Sequence, residues 1–176
     1  MAPGLKEPSA LLLTGVFGTG KSSVAEEIAE LLEARGEVYA AIDLDWLAWS
    51  NVPGSGHDDH VVLARNLAAV ATTYRERGAR RFVLAGAVED RETLEAIRTA
   101  VAVPLTVVRL TAPMAVIEER LAGSTTSGRA DDLARAREWF AADTGAGLEH
   151  AALENVGPIR DTARRAIELA GWSATA

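Results

Sequence analysis

The sequence predicts an α/β fold, a three-layer sandwich in which a five-stranded parallel sheet carries helices on both faces. Short apolar runs rich in Val, Ile, Leu and Ala alternate along the chain with longer stretches of helical period. That alternation is typical of parallel sheets whose crossovers are helices. A length of 176 residues with 48% hydrophobic content suits one core, so we expect a single domain over residues 1–176.

The apolar runs define the predicted strands. They span 10–14, 37–42, 81–85, 105–110 and 150–154. The helix after the first strand has the clearest pattern, and Gly36 follows it as a C-terminal stop. Its apolar stripe consists of Val24, Ile28, Leu31 and Leu32.

Five further helices are predicted from period and from their starting residues, several of which are Asp or Pro. They span 58–77, 90–100, 113–122, 131–142 and 158–170. The apolar stripe of the helix at 58–77 consists of Leu63, Leu67, Val70 and Tyr74. Two turn-rich segments, 51–56 and 123–128, interrupt the pattern, and each is either an ordinary surface loop or part of a binding cleft.

The composition excludes several classes of function. With no cysteine, the chain has no disulfide, thiolate metal site or catalytic thiol. It contains no apolar run of membrane-spanning length and its first ten residues lack a secretion signal, so we expect a cytoplasmic protein without a membrane partner. A net charge of −7 makes nucleic acid an improbable main partner. The oligomeric state is left open, a homodimer included.

The motif G-x-x-x-x-G-K-[ST] is matched in full directly after the first predicted strand and before the first helix. Glycines let successive backbone N–H groups curl around phosphate oxygens, and the following helix points its positive end at the same anion. The lysine reaches the outer phosphates and the motif serine holds Mg²⁺. The sequence therefore predicts that ATP and Mg²⁺ bind to Gly15, Val16, Phe17, Gly18, Thr19, Gly20, Lys21, Ser22 and Ser23.

Two carboxylates, Asp43 and Asp45, lie at the carboxyl end of the second predicted strand. In extended chain they share one side, and ligands of open parallel sheets lie beyond this end of the strands. We expect Asp43 to support Mg²⁺ together with Ser22, and Asp45 to orient or deprotonate an acceptor hydroxyl. The structural alternative is that the D-x-D run caps a short helix and is solvated.

The end of the third predicted strand departs from Walker-type ATPases, because small residues replace the usual Asp. Coordination of Mg²⁺ then depends more heavily on Asp43. Glu89 is a second candidate for the general base. Gly86 is predicted to let a substrate approach the backbone closely.

Together, GVFGTGKS after the first strand, DLD after the second, LAGA at the third, and LTAP leading into ERL resemble the nucleoside-monophosphate-kinase-like group of small-molecule P-loop kinases. Shikimate, gluconate and adenylylsulfate kinases belong to that group. The resemblance implies a P-loop NTPase fold with strand order 2-3-1-4-5 and a lid near residues 123–131. It also implies that the chain is an ATP-dependent phosphotransferase acting on a hydroxyl or phosphate of a small molecule.

By that likeness, Arg120 matches the arginine beside the nucleotide and Arg129 matches a lid arginine that closes on the phosphates. Asn155, Gly157 and Pro158 match the turn that borders the adenine. The alternative for both arginines is a solvated charge at a helix end. The glycine triplet that shikimate kinases carry after the third strand is absent, and the lid has one arginine, so no particular substrate is assigned.

Three residues after the D-x-D run are candidates for contact with the phosphoryl acceptor. Trp46 and Trp49 suit a sugar-like, cyclitol or nucleoside acceptor, although core packing of a short helix is the favoured interpretation for at least one of them. Arg65 corresponds to an acceptor-binding position of shikimate kinases, but it lies opposite the apolar stripe. His57 and His60 are interpreted as a polar helix start rather than a metal site, since no third ligand accompanies them.

Two other functions use the same loop. A nucleotide-hydrolysing switch would position a water in place of an acceptor. A GTP-binding switch would carry an N-K-x-D run, which the sequence lacks. A non-catalytic ATP-binding interaction module would bind ATP without turnover.

Overall fold

The computed structural model describes residues 7–50, 60–122 and 129–173, with side chains from residue 132 onward in the third range. Residues 123–128 of the predicted lid at 123–131 and the loop 51–56 lie outside the described residues, as does His57.

A five-stranded sheet forms the middle layer. Its strands are β1 (Ser9–Thr14), β2 (Tyr39–Asp43), β3 (Arg81–Ala85), β4 (Leu105–Thr111) and β5 (Ala151–Glu154). Neighbouring strands pair in parallel in the order β2-β3-β1-β4-β5. This confirms the predicted class and strand order, and each predicted strand overlaps an observed one. β1 and β3 are buried on both faces, which explains why they are nearly continuous apolar runs rather than alternating ones.

Helices cover both faces of the sheet. They are α1 (Lys21–Ala34), α2 (Leu44–Ala48), α3 (His60–Glu76), α4 (Arg91–Val101), α5 (Met114–Ala122), α6 (Arg129–Ala142) and α7 (Ile159–Leu169). One core cluster packs α2, α3 and α4 on one face, and a second packs α1 and α7 on the other. A third, smaller cluster joins α5 and α6 beside the loop that follows β1. No helix among the described ranges is long and apolar enough to cross a bilayer.

The apolar stripe predicted for α3 is partly wrong. Leu63, Leu67 and Ala71 are buried at a regular spacing of four, whereas Val70 is half-buried and Tyr74 is exposed. The line of contact on this helix runs along i, i+4 positions, so it passes through Ala71 and misses the tyrosine.

The short helix α2 falls between the predicted elements. Five residues are too few to show a helical period, and a capping contact defines its start, because the Asp43 side chain accepts a hydrogen bond from the Asp45 N–H. Asp45 therefore stands in the first turn of a helix and not in an extended chain.

Candidate active site

The loop between β1 and α1 has the backbone that a phosphate cup requires. Gly15, Gly18 and Gly20 all adopt positive φ angles, of 132°, 81° and 91°. Two of them also sit where a side chain has no room, since a Cβ would meet the Leu110 carbonyl oxygen at Gly15 and would lie 2.6 Å from Asn155 Nδ2 at Gly20. Sterics therefore select glycine at these positions as strongly as backbone conformation does.

The first turn of α1 has no side-chain cap at Gly20 and no acidic residue. Its backbone N–H groups and the positive end of its dipole are thus not offset by protein carboxylates within the turn. These features fit a polyphosphate at the start of the helix. Ser22 and Ser23, in the same turn, are both exposed.

Two buried residues hold the loop from within. The Thr19 hydroxyl donates to the Val16 carbonyl oxygen at 2.7 Å, and both residues are buried. Phe17 packs against the third core cluster, with its ring centroid 5.3 Å from that of Trp139 on α6.

Lys21 is buried beneath the loop. Its Nζ donates to the carbonyl oxygens of Gly15 at 3.0 Å and Val16 at 3.3 Å. Burial lowers the pKa of this ammonium, and the carboxylates of Asp45 and Asp43 act in the opposite direction. Lys21 is thus placed at the loop and faces the two carboxylates that the sequence singled out.

Asp43 joins the end of β2 to the loop. Ser22 Oγ donates to Asp43 Oδ2 at 3.1 Å, while Asp43 Oδ1 accepts from the Asp45 N–H at 3.0 Å. Asp43 therefore caps α2, as the structural alternative has it, and also faces the loop, while its role toward Mg²⁺ stays a prediction. The hydroxyl and carboxylate together are the hard oxygen donors that Mg²⁺ favours.

Asp45 lies on the same side. Its Oδ1 accepts from the Ala87 N–H at 3.5 Å, beyond the end of β3. The residue is exposed to solvent, but desolvation by the neighbouring protein raises the pKa of its carboxyl. Lys21 acts in the opposite direction.

Arg120 and Asn155 tie the loop to the other half of the sheet. Arg120 donates through Nη1 to the carbonyl oxygens of Gly18 at 3.3 Å and Thr19 at 3.4 Å, and through Nη2 to that of Asn155 at 2.7 Å. The Asn155 amide donates to the Thr19 carbonyl at 2.9 Å and accepts from the Thr162 hydroxyl at 2.9 Å.

Asn155 is only 1% exposed, and both of these contacts of its side chain are to protein groups, so it supports the loop from within. The expectation that this turn borders the adenine stays a prediction. Gly157 and Pro158, which follow it, are exposed.

The tryptophans differ from expectation. Trp46 is 71% exposed and Trp49 64% exposed, and their rings stack on each other with centroids 5.3 Å apart and an interplanar angle of 18°. Core packing of α2 uses Leu44 and Ala48 instead, so the interpretation that favoured burial for at least one tryptophan was wrong. Both residues follow Asp45 in the chain, Trp46 within α2 and Trp49 at its C-terminal cap.

Two other predicted acceptor contacts receive less support. Gly86 is buried, and a Cβ there would lie 2.7 Å from Leu44 Cβ. The glycine thus makes room for α2 on that side rather than for a substrate. Arg65 is exposed on α3, and its neighbour Asn66 makes the contact with α2, donating to the Leu47 carbonyl oxygen at 2.7 Å.

The structure also brings in residues that sequence reasoning missed. Asp132 acts electrostatically on both Lys21 and Asp45. Arg135 lies over the rings of Phe17 and Trp139. Glu89, considered only as a spare base, pairs with Arg135 at 3.7 Å. Arg129 begins α6, and its side chain lies outside the description.

No protein-family model matches the sequence, and no curated protein resembles it significantly. Solved structures do match over nearly the whole chain. A gluconokinase from Sinorhizobium meliloti is 23% identical with a TM-score of 0.63, covering 94% of this chain and 93% of its own. A shikimate kinase from Bacteroides thetaiotaomicron is 18% identical with a TM-score of 0.63, covering 92% and 97%. A sugar kinase from Janibacter is 17% identical with a TM-score of 0.64, covering 95% and 96%.

The chain has the fold of these kinases. The resemblance that the sequence motifs indicated is thereby confirmed at the level of the fold. In this P-loop kinase fold, the loop after β1, the carboxylates after β2 and the turn after β5 all lie at the carboxyl edge of the sheet.

Proposed function

We propose that the chain is an ATP-dependent kinase that transfers the γ-phosphoryl group to a hydroxyl or phosphate of a small molecule. The observation that carries the proposal is the convergence of Lys21, the Ser22–Asp43 pair and Asp45 at one edge of the sheet. Solved structures with this fold include a gluconokinase, a sugar kinase and a shikimate kinase, which supports the same class of reaction.

The nucleotide phosphates bind in the loop from Gly15 to Ser23. Backbone N–H groups and the start of α1 surround them, and the ammonium of Lys21 attracts them from beneath the loop. Arg120, held against the loop carbonyls, borders the nucleotide together with Gly157 and Pro158.

Mg²⁺ is held by Ser22 and Asp43. Their oxygens already face each other at 3.1 Å, so this donor set fits a hard divalent cation. When bound, the ion neutralises charge on the phosphates and helps to orient them.

Asp45 acts on the acceptor. The acceptor oxygen attacks the γ-phosphorus, the bond between that phosphorus and the bridging oxygen breaks, and ADP leaves. The proton of the acceptor hydroxyl passes to the Asp45 carboxylate, whose raised pKa suits it to take a proton. Lys21, and Arg129 from the start of α6, stabilise the negative charge on the transferring group.

The acceptor binds beyond Asp45, against Trp46 and Trp49. Exposed indole rings that follow the candidate catalytic carboxylate in the chain favour an acceptor with a flat, weakly polar face, such as a sugar, cyclitol or nucleoside. Arg65 on α3 would meet an anionic group on such an acceptor. The site is expected to work in the cytoplasm on a hydroxylated small molecule.

A coupled ADP-release screen over hydroxylated metabolites, antibiotics, nucleosides and their monophosphates tests the proposal. We expect ADP release that requires one acceptor class and is lost in Asp45→Asn. ADP release that is independent of every acceptor would favour a hydrolysing switch. ATP binding without any turnover would favour an interaction module, and either result would contradict the kinase.

A further inference from the structure

Phe17 is the one bulky side chain among the central residues of the phosphate loop, and it is surrounded by cations and by a second ring. Lys21 Nζ lies 5.2 Å from the centroid of its ring. Arg135 Cζ, from α6, lies 5.2 Å from the same centroid. The Trp139 ring packs against it with centroids 5.3 Å apart.

Arg135 makes contacts within α6 and with two other parts of the fold. Besides Phe17, its guanidinium lies 5.6 Å from the Trp139 ring centroid. Its Nη2 lies 3.7 Å from Glu89 Oε1, on the segment after β3. One guanidinium thus bridges the phosphate loop, α6 and the carboxyl end of β3.

These contacts lie on one stripe of α6. Asp132, Arg135 and Trp139 are spaced by three and four residues, which places them on the same face of the helix. Trp139 is buried in the cluster beside the loop, and Asp132 acts electrostatically on Lys21. The face of α6 that meets the loop therefore carries charged side chains as well as an aromatic ring. Apolar packing alone does not explain why an arginine stands at position 135 on this face.

We propose that Arg135 is a positioning residue for the phosphate loop: it holds the ring of Phe17 and, through it, the turn that presents Lys21 to a nucleoside triphosphate. Cation–π attraction fixes Arg135 over Phe17, and Glu89 fixes the far side of the guanidinium. A loop held in its binding geometry before the ligand arrives loses less entropy on binding, which increases affinity. The proposal rests on the proposed nucleotide site.

The test measures calorimetric binding of the Mg²⁺ complex of adenosine 5′-(β,γ-imido)triphosphate to variants of both partners. We expect Arg135→Gln and Phe17→Leu each to weaken binding by about threefold to tenfold, the range of a partly desolvated cation–π contact. Arg135→Lys and Phe17→Tyr, which keep the cation and the ring, should retain most of the affinity.

A double variant separates positioning from direct contact with the nucleotide. If Arg135 acts through Phe17, Phe17→Leu combined with Arg135→Gln should bind about as well as either single variant. Losses that multiply in the double variant would overturn the proposal, because they would mean that the two residues act independently.

Arg137→Gln is the matched control. Arg137 lies two residues further along α6 and pairs with Glu118 at 2.8 Å, so its variant should bind like the wild type. Equal affinity of the wild type and Arg135→Gln, both with unchanged melting temperature, would overturn the role of Arg135 alone. Failure of the wild type to bind the analogue would overturn both this role and the proposed kinase.

Discussion

Ser22 on α1 and Asp43 at the end of β2 are joined by a hydrogen bond of 3.1 Å between hydroxyl and carboxylate, although they are 21 residues apart in sequence. The contact connects the phosphate loop to the edge strand of the sheet. It also brings a hydroxyl oxygen and a carboxylate oxygen to one point beside the start of α1.

Asp43→Asn should raise the Mg²⁺ concentration that ATP binding requires, without unfolding the chain. Asparagine still caps α2, but the charge that attracts the cation is lost. We expect the Mg²⁺ concentration for half-maximal binding to rise by about tenfold or more, measured by calorimetry at fixed nucleotide. Asp90→Asn is the control, since Asp90 caps α4 in the same way through the Thr93 N–H. Equal Mg²⁺ requirements in both variants would contradict the metal role.

Gly20→Ala should cost both stability and nucleotide binding. The residue has φ of 91°, and a Cβ would lie 2.6 Å from Asn155 Nδ2, which would displace the amide that supports Thr19. Gly36→Ala is the control that measures the cost of the positive φ angle alone, because Gly36 has φ of +67° and a Cβ there would have no atom within 4 Å. In urea unfolding we expect the control to lose about 1 kcal/mol and Gly20→Ala clearly more. Equal losses would mean that the Asn155 contact is relieved without cost.

Asp45→Asn should raise the melting temperature while abolishing transfer. Burial raises the pKa of this carboxyl in the folded chain, so the folded chain binds a proton over an interval of pH in which the unfolded chain does not. Stability therefore falls as pH rises through that interval, and at neutral pH the ionised group is destabilising. The variant removes this penalty.

Transfer to an identified acceptor should fall by about 100-fold or more in Asp45→Asn, with analogue affinity nearly unchanged. Asp161→Asn, at an exposed position in the first turn of α7, is the control and should not raise the melting temperature. A parallel loss of affinity and turnover in Asp45→Asn would remove the role of Asp45 on the acceptor.

Arg129→Ala should lower turnover with little change in melting temperature. The residue starts α6 and belongs to the predicted lid at 123–131, and its proposed role is confined to stabilising the charged transition state. Steady-state kinetics with a fixed acceptor measures the effect. Full activity in the variant would exclude Arg129 from the reaction.

The sequence was sufficient for the sheet, because β1 and β3 are buried on both faces and their apolar runs stand out between helical stretches. It was also sufficient for the loop, since positive φ angles and steric limits at Gly15 and Gly20 are what its glycines indicate. The position of Asp43 at the carboxyl edge of the sheet could also be predicted, because ligands of open parallel sheets lie beyond the carboxyl ends of the strands.

Tertiary contacts were harder to predict. The burial of Asn155 depends on partners 136 residues upstream and 7 residues downstream, and neither spacing carries a local signal. Core packing was the favoured interpretation for at least one of Trp46 and Trp49, yet both are exposed and stack on each other, while Leu44 and Ala48 are the buried residues of α2. The sequence also gives no indication of the role of Arg135, because its contact with Phe17 depends on how α6 packs beside the loop.

A thermal-shift measurement on Lys21→Ala tests the central claim most directly. With Mg²⁺ and ATP at about 100 times the dissociation constant, binding to the wild type should raise the melting temperature by roughly 5 to 10 °C. Lys21→Ala should lose this shift, because the buried ammonium below the loop is gone. Arg165→Gln on α7, whose partner is Glu168, should keep it. An undiminished shift in Lys21→Ala would contradict phosphate binding at this loop and the proposed kinase with it.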